Sequence, residues 1–438
     1  MALLQQLVFL VVLIVAGYFI RKRFLRIKNN IRLGKANAIT DRTGERLKNV
    51  FLVSFGQKKM FKRLIPASLH FFIYAGFLII NVEVLEFIID GLAGTHRIFA
   101  PYLGGFYNVL MNVFEFLAVA VLVACVAFLV RRNVLKVPRF WSAEMTRWPR
   151  LDGNIVLTIE IVLMCAILTM NASDQILQMR NEHYTPTGHL FFSSFLTSEL
   201  LKVDTSLLVL IERFAWWFHI IGILGFSVYI TYSKHLHIFM AFLNTYYARL
   251  EPKGHINNMP VVTREVKSML GLAVADAVAP AEPGRFGAKD INDLTWNNLM
   301  SAYACTECGR CTSECPANLT GKKLSPRKIM MDVRDRMEEV GNSLEKGGAG
   351  LNDGKSLLGD YITKEEINAC TSCNACVEAC PVMINPLEII LEVRRYVSME
   401  ESGAPAQWNA MFQNIETSFA PWKFSPADRF NWAKEIKK

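Results

Sequence analysis

Five stretches of this sequence stay apolar for roughly twenty residues, the length of helix that crosses the hydrocarbon of a bilayer. They are Leu3 to Ile20, Leu64 to Ile89, Phe106 to Val130, Ile155 to Ile176 and Phe214 to about Leu243. Their number and length predict an all-α membrane bundle of five transmembrane helices. Composition agrees, because 438 residues with 52% apolar and 20% charged content are too greasy for several independent soluble cores. The basic cluster Arg21, Lys22, Arg23 and Arg26 follows the first stretch instead of preceding it, and no small-residue cleavage site is evident. That order predicts a retained anchor, not a secretory leader.

The net charge of +9 lies between the apolar runs. Segment 21–63 holds fourteen Lys/Arg against two acids and segment 131–153 holds six, whereas 90–105 has only Arg97 and 177–206 only Arg180 and Lys202. Charge placed this way reports topology, not nucleic-acid binding. By the positive-inside rule the N-terminus is outside and the C-terminal part cytoplasmic, in a cytoplasmic (cell inner) membrane crossed several times.

The division expected is a transmembrane domain over 1–249, a linker over 250–289, a mostly α-helical cytoplasmic domain over 290–398 and a partner-docking segment over 399–438. Pro252, Pro260, Pro280 and Pro283 break any long helix in the linker. Within the soluble part, apolar spacing predicts a helix from Ser325 to Val340 ended by Gly341, and another from Pro386 to Val397. Gly350 to Ser356 looks like the end of a phosphate-binding loop, but the position of its first glycine is Ala349, and it reads as a surface loop.

Eight of the ten cysteines fall in two runs of identical form, C-x2-C-x2-C-x3-C-P: Cys305, Cys308, Cys311, Cys315, Pro316 and Cys370, Cys373, Cys376, Cys380, Pro381. Three thiolates spaced by two can hold three corners of a cubane, while the fourth points to the neighbouring cluster. The runs therefore predict a ferredoxin-like domain with two [4Fe–4S] clusters and crossed ligation, Cys305, Cys308, Cys311 with Cys380, and Cys370, Cys373, Cys376 with Cys315. A tetrahedral zinc site has no use for that spacing, and no thioredoxin-like setting surrounds either run. Cys125 and Cys165, alone in apolar helices, read as small buried hydrophobes.

Ionisable residues inside spans are functional suspects. His219 and His237 are eighteen residues apart, five whole turns, so an unbroken last helix would carry them on one face about 27 Å apart. His235 would be turned well away from that face. His70 falls at the depth of His237, and paired imidazoles at one depth suit a b haem, so His70 with His237 is the expected ligand pair. Against this, His235 and His237 beside Lys234 could merely snorkel at the boundary. Asn81 lies at the depth of His219, which is either a lone hydrogen-bonding histidine or, with Asn81, a holder of quinone carbonyls. Glu83, Glu115 and Glu160 are possible proton carriers, with exposure at a helix end an alternative for Glu83.

The run Phe218-His219 through Tyr232-Ser233-Lys234-His235-Leu236-His237-Ile238 resembles the final haem-binding helix of the respiratory nitrate reductase gamma subunit and its relatives in heterodisulfide reductase and sulfite-reduction complexes. In that family two histidines eighteen apart ligate two stacked b haems, partnered by two histidines ten apart on the second helix. Here His70 matches one partner and Ile80 stands at the other, so the resemblance implies one haem b, with the second in doubt. Residues 288–296, the cysteine runs and residues 320–328 resemble the two-cluster domain of the same group, above all membrane-bound dehydrogenases that accept electrons from electron-transfer flavoprotein. The chain contains no CCG motif, so the resemblance implies a separate CCG-type iron–sulfur partner subunit.

The reading that follows is an electron-transfer subunit, embedded in lipid, that passes electrons from a soluble donor such as electron-transfer flavoprotein through two clusters and haem b to quinone. No nucleophile constellation or hydride-accepting fingerprint is present, and no catalytic residue is assigned. The alternatives are a non-redox membrane anchor for a catalytic partner and a quinol-linked reductase subunit of heterodisulfide or sulfite type.

Overall fold

The computed structural model describes residues 2–180, 184–272 and 285–436. Five helices are long and apolar enough to cross a membrane: α1 (Ala2–Ile31), α2 (Leu64–Ala93), α3 (Gly105–Leu129), α4 (Arg147–Arg180) and α5 (Thr205–Ile230). Helices α2 to α5 pack in chain order, α2 on α3, α3 on α4 and α4 on α5, while α1 lies against α2 and α5. Met111, Cys125, Ile167 and Ile220 are buried in the shared core, and Leu3, Leu7, Ile14 and Phe214 remain exposed on the outer faces. An apolar exterior around an apolar core is the pattern of a helix bundle whose solvent is lipid.

The last apolar stretch is not one helix. α5 ends at Ile230, a polar turn follows, and α6 begins at His237 and runs to Tyr246. The cause lies in Thr231, Ser233 and Asp152. Ser233 is extended (φ −99, ψ 160) and its side chain accepts from the His235 amide, while buried Asp152 accepts from the Tyr229 hydroxyl at 2.5 Å and the Lys234 amide at 3.1 Å. Local caps of this kind compete with helix continuation. The expected rotation of His219, His235 and His237 about a common axis therefore does not apply.

Beyond the bundle come α7 (Pro260–Met269), α8 (Trp296–Tyr303), α9 (Pro326–Glu345), α10 (Pro386–Met399) and α11 (Ala406–Ser418), with shorter turns between. No strand occurs among the described residues, only the isolated bridges Lys35 with Thr295 and Leu358 with Ile362. Pro260, expected to break a helix, opens α7, because a proline costs nothing at a first turn whose amides are unpaired anyway. Pro280 and Pro283 lie outside the described residues.

α9 runs through Gly341 instead of ending there. A Cβ at Gly341 would sit 2.1 Å from Asn30 Oδ1, so the glycine serves a close helix approach. Asn30 donates to the Tyr303 hydroxyl at 2.8 Å, and Arg23 makes two bonds to Glu338 at 2.6 and 2.9 Å. Ile27 of α1 and Leu236 and Met240 beside the polar turn belong to the same core as Ile329, Val333, Ile390 and Val393. Basic residues after α1 continue the docking: Arg63 meets Glu314 at 2.6 Å, and Lys62 pairs with Glu378. The positive charge that the sequence presents as a topology signal thus also fastens the iron–sulfur half to the bundle.

Candidate functional site

The two cysteine runs fold alike. Glu307 and Gly309 have φ of 54 and 71, and the equivalent Ser372 and Asn374 have 54 and 61. Left-handed residues alternating along a loop turn successive amides inward and make a nest for an anionic group, a feature of many Fe–S sites. The Ser372 amide donates to Cys370 Sγ at 3.4 Å and the Ile384 amide to Cys380 Sγ at 3.3 Å. After each loop comes one short helix, Arg310–Ser313 or Ala375–Ala379, and the two helices pack together.

Cys305, Cys308 and Cys311 line one small cavity with Cys380 of the other run. Burial pushes the Cys376 thiol up to about 12, and its next charged influences are Cys370, Cys315 and Cys373. The first cavity thus joins three cysteines of one run to the fourth of the other, and Cys315 stands near the second run. The described residues hold no group of three or more His, Cys, Asp or Glu gathered for one metal ion. A cubane asks for a different spacing, since each thiolate takes its own iron. Cys373 is exposed and Cys308 lies on the side of the bundle, where it lines a second cavity.

That second cavity, about 370 Å³, opens between α2, α4, α5 and α6 and is lined by His70, His219, His235 and His237. The rings of His70 and His237 are 6.4 Å apart, centroid to centroid, at 43°. Imidazoles bound to one metal through roughly 2 Å bonds have centroids about 6.3 Å apart when they stand on opposite sides of it. His237 Nδ1 is 3.2 Å from the Lys234 carbonyl, which leaves Nε2 to the cavity. His70 Nδ1 is buried without a partner. The residues therefore fit a bis-imidazole haem. His235, 5.3 Å from the His237 ring and 5.6 Å from Phe226, lines the same cavity, so none of the three simply reaches for water.

His219 is buried, with Nδ1 3.0 Å from the Leu163 carbonyl. Asn81 reaches the rim of the cavity but is exposed, and its amide donates to the Phe77 carbonyl of its own helix. The donor expected to meet a quinone oxygen is engaged there. Glu160 also lines the cavity. The other two acids singled out within the spans are tied up elsewhere. Glu83 is 2% exposed, not at a wet helix end, and pairs with Arg97 at 3.1 Å; Glu115 accepts from the Phe192 and Ser193 amides at 3.0 and 3.2 Å. Cys125 is buried as expected, whereas Cys165 is exposed, because its side of α4 faces outward.

Sequence reasoning passed over Lys234, Glu307 and Arg310. Glu307, 3% exposed within the first cysteine run, bonds Lys234 at 2.6 Å and Arg334 at 2.6 Å. Burial alone would raise its carboxyl, yet Arg334 and Lys234 hold it below the usual range. An acid inside a cysteine run was the available signal.

A family model for the 4Fe-4S dicluster domain matches residues 304–384. Along most of its length the chain is similar to the probable iron-sulfur-binding oxidoreductase FadF of Bacillus subtilis, 29% identical over 92% of this chain and 57% of the relative. It is similar also to the EtfAB:quinone oxidoreductase of Syntrophomonas wolfei, 27% identical over 90% of this chain and 55% of the relative. A probable membrane-anchored ferredoxin of Chromohalobacter salexigens is 33% identical over 38% of this chain and 26% of its own length. The chain thus spans little more than half the length of the first two relatives, and no solved structure matches it. The expected resemblance and fold class stand: a five-helix membrane bundle joined to a helical 4Fe–4S dicluster domain, similar to membrane iron–sulfur oxidoreductases.

Proposed function

We propose that this chain is the membrane electron-transfer component of a quinone-linked oxidoreductase, with two [4Fe–4S] clusters and one haem b. The observation that carries the reading is the separation of His70 and His237, 6.4 Å, in a cavity that also reaches Cys308. Bound clusters and haem supply one-electron centres; the chain's part is to hold them in sequence and keep water away. Cys305, Cys308, Cys311 and Cys380 would hold the cluster next to the bundle, and Cys370, Cys373, Cys376 and Cys315 the outer one. Exposed Cys373 makes the outer cluster the entry point for a soluble donor.

The name of the Syntrophomonas relative, EtfAB:quinone oxidoreductase, supports electron-transfer flavoprotein as donor and quinone as acceptor. The similarity to heterodisulfide reductase subunits D and C of Methanosarcina supports partner subunits. The basic segments 21–63 and 131–153 favour a cytoplasmic dicluster domain. Quinone would meet His219 in the deep part of the cavity, with Glu160 as the second polar group in place of Asn81, a small polar set in an apolar cleft.

Membranes containing the full chain, reduced and examined by absorbance and EPR, test this. A b-type spectrum, about eight cluster irons and reoxidation by added quinone are expected. Zinc at the cysteines and no b-type spectrum would overturn it.

A further inference from the structure

The cavity that holds the four histidines carries positive charge its walls do not balance. Arg132, Arg139 and Arg310 all line it, and Glu160 is the one acid among its lining residues. Among the described residues, the ion pairs made by arginine use other guanidiniums. Arg132 is partly satisfied by Asn154 Oδ1 and the Arg150 carbonyl, both at 3.1 Å. Arg139 is not: its Nε is buried without a partner, and its guanidinium rests on the Phe140 ring at 5.0 Å. Arg310 is 4% exposed, and its contacts are the Lys59 and Met60 carbonyls at 3.4 Å and Met60 Sδ at 3.1 Å. A guanidinium does not neutralise itself by losing its proton, so the buried Arg310 and the half-buried Arg139, neither with a carboxylate, ask for an anion.

Part of that anion would be the cluster, since Arg310 lies between Cys308 and Cys311 and Cys308 is a favourable charged influence on both arginines. Arg310 lines both cavities, but Arg139 is absent from the cysteine lining and lines only the cavity that also holds the histidines. Away from the arginines and histidines the wall is mostly apolar, with Ile73, Phe77, Val121 and Leu163, and Glu160 and Asn81 among its few polar groups. A ligand suited to this space is apolar over most of its area and carries carboxylates at one edge.

We propose that Arg139 and Arg310 hold the two carboxylates of the haem that His70 and His237 would ligate, turning its polar edge toward the first cysteine run. This rests on the haem reading above. Two guanidiniums beside those carboxylates favour the reduced haem, so removing one lowers its midpoint potential.

The test uses the full chain in membranes, as wild type, Arg139→Gln and Arg310→Gln. Both variants should keep a b-type spectrum while the midpoint moves negative and haem leaves several-fold faster to a haem-scavenging protein, with Arg139→Lys restoring part of the loss. Chain prepared without haem and loaded with haem dimethyl ester, whose carboxylates are blocked, should release it as fast as Arg139→Gln releases haem. Ester held as tightly as haem, or variants with unchanged midpoint and release but an altered first-cluster EPR signal, would overturn the inference and leave the guanidiniums to the cluster. A wild-type chain with both clusters and no b-type spectrum would instead bring down the haem reading itself.

Discussion

Lys234 donates to Glu307 across 2.6 Å, linking the turn that carries His235 and His237 to the loop that carries Cys305 and Cys308. Glu307 is buried and Lys234 largely so, with side-chain exposures of 3% and 11%. A charge pair withdrawn from water holds its geometry more tightly than one at the surface, because losing either partner strands the other.

Lys234→Met should therefore lower stability by about 1–3 kcal/mol, Glu307 keeping Arg334 as its remaining cation. Lys62→Met, whose pair with Glu378 is exposed, should cost about 0–1 kcal/mol. Denaturant titration in detergent, followed by the cluster absorbance, compares them. Equal effects would show that the buried pair has no special hold.

Crossed ligation makes the fourth cysteine of each run the property of the other cluster. Cys380→Ser should perturb the same EPR signal as Cys305→Ser, and Cys315→Ser the signal perturbed by Cys370→Ser. If Cys380→Ser instead matches Cys376→Ser, each run holds its own cluster.

His70→Ala and His237→Ala should each abolish the b-type spectrum, and His235→Ala should retain it. Haem surviving in His237→Ala would move the ligand to His235, whose ring is 5.3 Å away.

His219→Leu should stop oxidation of the reduced centres by added quinone while leaving cluster and haem spectra intact. Normal turnover in that variant would remove His219 from the quinone site.

Replacing Gly341 by alanine forces a methyl against Asn30 Oδ1, on a side chain already held by the bond from its Nδ2 to the Tyr303 hydroxyl. The expected cost is about 1–3 kcal/mol, seen as a lower midpoint in thermal unfolding. A wild-type midpoint would mean that α1 and α9 can part without loss.

The spans and the cysteine runs were legible because each rests on a long or repeated local pattern. Cys305, Cys308 and Cys311 announce themselves by spacing alone, and apolar length marks α1 to α5. The break at Thr231–Ser233 was not legible, because its cause, Asp152, lies on another helix and shows only after folding. Gly341 misled for a similar reason: a glycine at a helix end and a glycine at a helix crossing look the same until Asn30 is found opposite. Asn81 lines the same cavity as His219, but its expected place on the helix did not say which way its side chain faces. Arg139 and Arg310 gave no signal, since an arginine in a short turn or helix is ordinary until it is found lining a cavity without a carboxylate paired to it.

α1 crosses the bundle and then enters the core of the dicluster domain through Ile27. One helix of 30 residues, about 45 Å long, therefore belongs to both halves. A redox domain hung on a flexible tether shuttles, and its rate follows solvent viscosity and the frequency of docking. With a shared strut there is nothing to swing, so the gap between cysteines and histidines is fixed when the protein folds. Transfer across it would be governed by tunnelling distance and driving force, indifferent to the thickness of the medium outside.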